Sequence, residues 1–207
     1  MAARDDGLLL PSLQRAQALG FVGGDLVQHL DHAEGFIGAI EAVAGPFQGY
    51  GLDLGAGGGL PGLVLAQRYE AARWVFLDAN ERRTAFLAET VASLGWSDRA
   101  EVLRARAEDA ARLDRCRGQF DLVTARSFGP PAVVAECAAG FLRVGGVLIV
   151  SEPPDADGSR WRHETQLREL GLVLETTSPG YQALRQVEAC PDRYPRRSGV
   201  PAKRPLF

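Results

Sequence analysis

Between residues 50 and 151, short apolar runs alternate with longer segments of helical periodicity, and that alternation leaves few folds open. YGLDL, RWVFLD, AEVLRA, FDLVTA and GGVLIVS are apolar without strict alternation, the composition of strands covered on both faces. LPGLVLAQRYE continues as a helix after the first of them. NERRTAFLAETVASLG follows the second, with a capping-type Asn80 and a closing Gly95. PAVVAECAAGFL follows the fourth and carries its proline at the helix start, where a missing N–H costs nothing. RWRHETQLRELG, LVLETTS and YQALRQVEAC predict a helix, strand, strand ending. This order predicts an α/β fold, a doubly wound and mostly parallel seven-stranded sheet.

Two helices are predicted ahead of the sheet. SLQRAQALGF has helical spacing, and DLVQHLDHAEGFIGAIEAVAG starts at a capping-type Asp25 and stops at Gly45-Pro46. A chain of 207 residues suits one well-filled domain. The expected organisation is a helical extension over 1–46, an α/β domain over 47–190 and a basic, Pro/Arg-rich tail over 191–207.

Hydrophobic residues at 46% with 24% charged place the chain among globular proteins and away from the disordered class. No apolar run reaches the roughly 18 residues that span a bilayer. MAARDDGLLLPSLQ has too short an apolar core for a leader, so the expectation is a soluble cytoplasmic protein. Cys116, Cys137 and Cys190 form no CxxC and read as reduced thiols. His29 and His32, three apart on a helix, make half a metal site that nothing completes, so no metal is expected. His163 reads as a helix-surface residue, and Trp74 and Trp96 as packing residues. Net charge is −3, yet Arg185, Arg193, Arg196, Arg197, Lys203 and Arg204 face only Glu188 and Asp192 at the C-terminal end. A basic tail on an acidic body is able to contact phosphate, although a merely solvated tail reads the same way.

The stretch LDLGAGGGLPG, Leu52 to Gly62, sets an acid and a glycine run between a strand and a helix. In such sheets the ligand sits past the carboxyl ends of the strands. A dinucleotide fingerprint, GxGxxG, is broken by Leu60, and no GK[ST] follows for a P-loop. Acid-x-Gly-x-Gly-x-Gly, Asp53 to Gly59, does fit, and Asp78 ends the next strand where a carboxylate accepts ribose hydroxyls. The pattern resembles the first motif of class I S-adenosylmethionine-dependent methyltransferases.

Further stretches narrow the resemblance. LDLGAGGGLPGLVLA, FLDANERRTAFL and FDLVTARSFGPPAVVAECAAGFLRVGGVLIV are similar to successive blocks of the bacterial 16S ribosomal RNA guanine-N7 methyltransferase family, once called glucose-inhibited division protein B. ARAED and RYPRRSGVPAKRPL are similar to two later blocks, and LVQHLDH is weakly similar to an N-terminal block in which His29 is the matching residue. The resemblance implies S-adenosylmethionine as cofactor, held by Asp53, Gly55, Ala56, Gly57, Leu60 and Pro61. It implies Asp78 on the ribose, Ala107 and Glu108 on the adenine, and Arg126 at the mouth as cofactor contact and catalytic residue. The chain departs from the family where SEPPD, Ser151 to Asp155, replaces a usual Lys-Gly, and ARSFGPP replaces the more usual ARAVAPL.

Guanine N7 carries a lone pair and no proton, so this chemistry needs alignment and no general base. Arg126 would donate to guanine O6 or a phosphate, Phe128 would stack on an extruded base, and Arg193, Arg196, Arg197, Lys203 and Arg204 would hold the RNA backbone. Ribosomal RNA or the small ribosomal subunit is the expected partner, with no membrane and no protein partner indicated. Two other readings stay open from sequence: methyl transfer to a small molecule, and an inactive cofactor-binding partner of RNA or protein.

Overall fold

The computed structural model describes residues 7–153, 155–175 and 179–207. Seven strands form one sheet in the order β3-β2-β1-β4-β5-β7-β6. They are β1 (Tyr50–Leu54), β2 (Arg73–Asp78), β3 (Ala100–Arg104), β4 (Phe120–Ala125), β5 (Leu142–Ser151), β6 (Leu172–Leu174) and β7 (Tyr181–Gln186). β1 to β5 run parallel, while β7 pairs antiparallel with both β5 and β6. The mostly parallel, doubly wound sheet expected from the alternation is the sheet observed.

Eight helices complete the described chain: α1 (Leu10–Ala18), α2 (Leu26–Ala44), α3 (Gly62–Arg68), α4 (Glu81–Ser93), α5 (Ala107–Ala110), α6 (Pro131–Ala139), α7 (Glu164–Glu169) and α8 (Val200–Lys203). The Asp25 carboxylate accepts from Val27 N and the Asn80 amide oxygen from Arg83 N, so both expected caps form. Successive strand side chains point to opposite faces and so feed two cores. Phe76, Leu122 and Ile149 pack with Leu13, Phe36 and Ile40 of α1 and α2 and with Leu63 and Phe86 of α3 and α4. Leu54, Val123, Leu148 and Leu184 pack on the other face with Ala110, Val134, Ala138 and Leu167 of α5 to α7. Trp74 and Trp96 are buried in the first core, as read from sequence.

Several elements differ in extent from the sequence reading, and the four-residue helices α5 and α8 were not assigned by it. RWRHETQLRELG is broken into a 3-10 turn, Ser159–Trp161, and α7, because His163 takes a non-helical conformation between them. PAVVAECAAGFL stops at Ala139, because Leu142 already pairs with Phe120 as β5 begins. Of LVLETTS only Leu172–Leu174 is strand, and residues 176–178 lie outside the described residues, as do 1–6 of the N-terminal stretch and Pro154 of SEPPD.

The N-terminal helices share their core with the sheet, and the C-terminal segment folds back onto α5 and α6. Glu136 is fully buried on α6 and accepts from Arg196 N, Nε and Nη2, the last at 2.6 Å. Arg112 and Arg117 donate to the carbonyls of Pro195 and Tyr194. Among the described residues no helix is long and apolar enough to cross a membrane.

Candidate active site

The chain leaves β1 at Leu54 and turns through Gly55 to Gly59. Gly55 N and Ala56 N both donate to Leu77 O, at 2.8 and 2.9 Å, which ties the turn to the end of β2. Gly57 N donates to Asp78 Oδ2 at 2.9 Å, while Asp78 Oδ1 accepts from Asn80 N at 2.7 Å. Asp78 therefore fixes the turn and still has lone pairs facing the cleft. Gly55 has φ +77, and a Cβ there would stand 2.7 Å from Phe128 Cδ2. Only glycine lets the Phe128 ring lie against the turn.

Asp53 sits behind this turn. It is 1% exposed, its Oδ2 accepts from Gly62 N at 3.0 Å, and its Oδ1 accepts from Thr124 Oγ1 at 3.1 Å. Burial raises its pKa to about 7, against the opposing pull of those two hydrogen bonds and of Arg126. A Cβ at position 62 would meet Asp53 Oδ2 at 2.5 Å, so the glycine of the LPG stretch makes room for the acid. Asp53 lines no described cavity. Its side chain points into the layer of Phe76 and Thr124, and its reach to a ligand is indirect, through the turn that it anchors.

Three cavities run side by side along the carboxyl edge of β1, β2, β4 and β5. The first is lined by Gly55, Ala56, Gly57, Leu60 and Arg126, and is roofed by Phe21, Val22 and Gly23 of the loop between α1 and α2 and by His29 of α2. The second lies on the β2 and β3 side, lined by Gly55, Asp78, Ala107, Glu108 and Phe128. The third opens beyond Arg126 toward the end of β5. Gly55, Arg83 and Ser127 are common to the first two, which makes them one divided cleft. Pro61 lines none of these three cavities and is the residue just ahead of α3. A separate pocket between α7 and β6 shares no residue with this edge.

Arg126 stands between the first and third cavities. Its Nη2 donates to His29 Nδ1 at 2.5 Å, and His29 Nε2 in turn donates to Gly23 O, which fixes the imidazole tautomer. Tyr181 donates to His32 O at 2.5 Å and stacks edge-on against the His32 ring. Burial first, then the charges of Arg126 and His29, hold the His32 pKa below its ordinary value. The two histidines are thus engaged in bracing Arg126 and Tyr181. Among the described residues no group of three His, Cys, Asp or Glu is arranged to hold a metal ion. Ser127, next to Arg126, has φ +53 without being glycine, and it lines all three cavities.

The tail arginines lie away from the cleft. Arg196 grips Glu136, Arg193 lies over the Tyr194 ring at 5.0 Å, and Arg197, Lys203 and Arg204 are exposed. The Arg196 guanidinium, which the resemblance puts on RNA, is here engaged by a buried carboxylate. The tail does reach the second cavity through its backbone: Gly199 N donates to Glu108 Oε1 at 2.8 Å. Sequence reasoning did not assign the roof, Phe21 to Gly23, or Ser127. Their only signals are a glycine pair ahead of a capped helix and a serine two residues beyond the strand.

A family model described as rRNA small subunit methyltransferase G matches residues 36–155. A Ribosomal RNA small subunit methyltransferase G of Dehalococcoides mccartyi strain CBDB1 is 34% identical over 166 residues, spanning 75% of this chain and 70% of the relative. One of the same name from Moorella thermoacetica is 34% identical over 165 residues, spanning 75% and 68%. Among solved structures, a methyltransferase from Geobacter sulfurreducens superposes with a TM-score of 0.63 at 15% identity, over 90% of this chain and 93% of that one. An O-methyltransferase from Bacillus cereus, in complex with SAH, gives 0.60 at 17% identity over 89% and 93%. At these identities the solved structures establish the fold, while the matched relatives establish descent. The chain belongs to the GidB family, the rRNA small subunit methyltransferase G family.

Proposed function

We propose that this protein transfers the methyl group of S-adenosylmethionine to N7 of a guanine in 16S ribosomal RNA. The observation that carries the reading is the divided cleft at the glycine turn, in a chain of this family. The residues present fit the cofactor. Gly57, at φ +55, lines the first cavity with no side chain of its own, and a Cβ there would meet only Gly55 O, at 3.7 Å, so its backbone is exposed to the cleft. The Asp78 carboxylate lines the second cavity together with Leu77, Ala107 and Glu108, where it suits a ribose diol. Gly55, Ala56, Gly57 and Leu60 would hold the amino-acid end, and Ala107 and Glu108 the adenine.

When bound, S-adenosylmethionine supplies an electrophilic methyl carbon. The chain's own contribution is position. His29 braces Arg126 at the mouth, where the guanidinium would donate to guanine O6 beside N7. N7 has no proton to lose, so no residue is needed as a base. Asp53 holds the turn rigid through Gly62 and Thr124. Phe128, half-buried against Gly55, offers a ring face toward the third cavity. In this reading the α/β domain, 47–190, carries the transfer, Phe21 to Gly23 and His29 of the N-terminal extension roof the mouth, and the tail braces Glu108 through Gly199 while Arg193, Arg197, Lys203 and Arg204 remain for phosphates. The work is done in the cytoplasm, where small ribosomal subunits are.

The test is incubation of the protein with methyl-labelled cofactor and small ribosomal subunits lacking base methylation. Label recovered as 7-methylguanine is the expected result. RNA without label, from protein that still binds cofactor, would set the reading aside in favour of a small-molecule substrate.

A further inference from the structure

The third cavity has a charged wall that the reading above does not use. β1, β4 and β5 are neighbours, so the glycine turn, Arg126 and Glu152 stand in a row at their carboxyl ends. With strands about 4.8 Å apart, the Glu152 backbone lies roughly 10 Å from the turn. Its side chain is only 7% exposed. Trp161 Nε1, on a fully buried indole, donates to Oε1 at 2.9 Å, and Arg160 Nη1 approaches Oε2 at 3.4 Å. Glu152 N donates to Gly180 O at 2.8 Å, which pins the backbone as well. Each carboxylate oxygen has two lone pairs, so both keep an acceptor site toward the cavity. A carboxylate so withdrawn from water is costly unless further donors reach it.

We propose that Glu152 is the residue that specifies guanine, by accepting hydrogen bonds from N1–H and the N2 amine of the base seated in the third cavity. The proposal rests on the guanine-N7 transfer reading. Guanine N7 and O6 share one edge, and N1–H and the N2 amine point away from N7. With N7 toward the glycine turn and O6 beside Arg126, those two donors face along β4 to β5, where Glu152 stands. Phe128 and Pro153, which also line the cavity, supply apolar surface for the ring. Adenine would present a lone pair at N1 and no amine at C2, leaving the buried carboxylate against an acceptor. A site built on hydrogen bonds rejects such an analogue strongly.

The experiment compares guanosine, inosine and adenosine monophosphates binding to the full chain with S-adenosylhomocysteine present, for the native protein and Glu152→Gln. Labelled methyl transfer to unmethylated small subunits is measured in parallel. Glutamine keeps an oxygen for Trp161, and the unfolding midpoint and S-adenosylhomocysteine affinity report whether the variant is intact. The native protein is expected to favour guanosine over inosine monophosphate by about tenfold, the loss of one charge-assisted hydrogen bond. Glu152→Gln is expected to lose that preference and about tenfold or more of kcat/KM on RNA. A guanosine preference that survives in Glu152→Gln, equal binding of all three nucleotides, or no binding of any would overturn the assignment, even with RNA labelled normally. Unlabelled RNA together with a guanosine preference that Glu152→Gln removes would support the guanine seat and overturn the ribosomal substrate.

Discussion

Arg126 Nη2 donates to His29 Nδ1 at 2.5 Å, which joins the end of β4 to a helix 97 residues earlier in the chain. The contact holds the guanidinium in place on a half-buried side chain whose pKa burial lowers. Arg126→Ala is expected to abolish methyl transfer while cofactor binding persists. His29→Ala, which frees the guanidinium without removing it, is expected to lower kcat by about tenfold, the scale of one hydrogen bond to a charged group. Single-turnover rates and calorimetric cofactor binding on the two variants separate orientation from binding. A full rate in His29→Ala would remove its bracing role.

The bidentate grip of Arg196 on fully buried Glu136 predicts a stability effect. Arg196→Ala leaves a buried carboxylate with only the Arg196 backbone N–H, and a destabilisation of about 2–4 kcal/mol is expected, reduced from the fully buried case because the arginine is partly exposed. Urea unfolding measures it. Arg197→Ala, at an exposed position, is expected within about 0.5 kcal/mol of the native protein. The same Arg197→Ala should flatten the salt dependence of RNA binding by about one unit of log-log slope if it contacts a phosphate.

Asp53 has a pKa of about 7 in the folded chain against 3.8 as its ordinary value. The folded state therefore binds more protons than the unfolded state between these limits, and stability falls as pH rises through that window. Asp53→Asn is expected to flatten the fall, and to be relatively more stable at pH 8 than at pH 5. Denaturant midpoints of both proteins across that range test it. Parallel slopes would mean that the carboxylate is not the titrating group.

Ser127 holds φ +53 at the meeting point of three cavities. Ser127→Gly removes the backbone strain, with an expected gain of about 1 kcal/mol and a rise of about 2–4 °C in Tm. Ser127→Val should lose more than glycine gains, because a β-branched side chain is poorly accommodated there. Thermal unfolding of both variants decides. A glycine variant less stable than native would show that the serine's contacts outweigh its strain.

The five parallel strands, the longer helices, the Asp25 and Asn80 caps, and the glycine turn ahead of α3 were determined by the sequence itself, since each follows from periodicity and local conformational preference within a few residues, whereas the four-residue helices α5 and α8 are too short to carry a period. The order of those segments also determined the doubly wound sheet, and the motifs from Leu52 to Val150 carried the family. Tertiary structure alone decided what each polar side chain faces. Asp53 precedes the glycines in sequence yet lies behind them, because the register of β1 against β2 and β4 places it beside Phe76 and Thr124. Arg196 looks the same as Arg197 in a basic tail, but only Arg196 meets Glu136, 60 residues away. His29 joins the mouth, and Glu152 becomes a buried acceptor, only once α2 and Trp161 have packed against the sheet. Local preference fixes elements within a turn or a strand; the direction and burial of a charge depend on partners brought together from far along the chain.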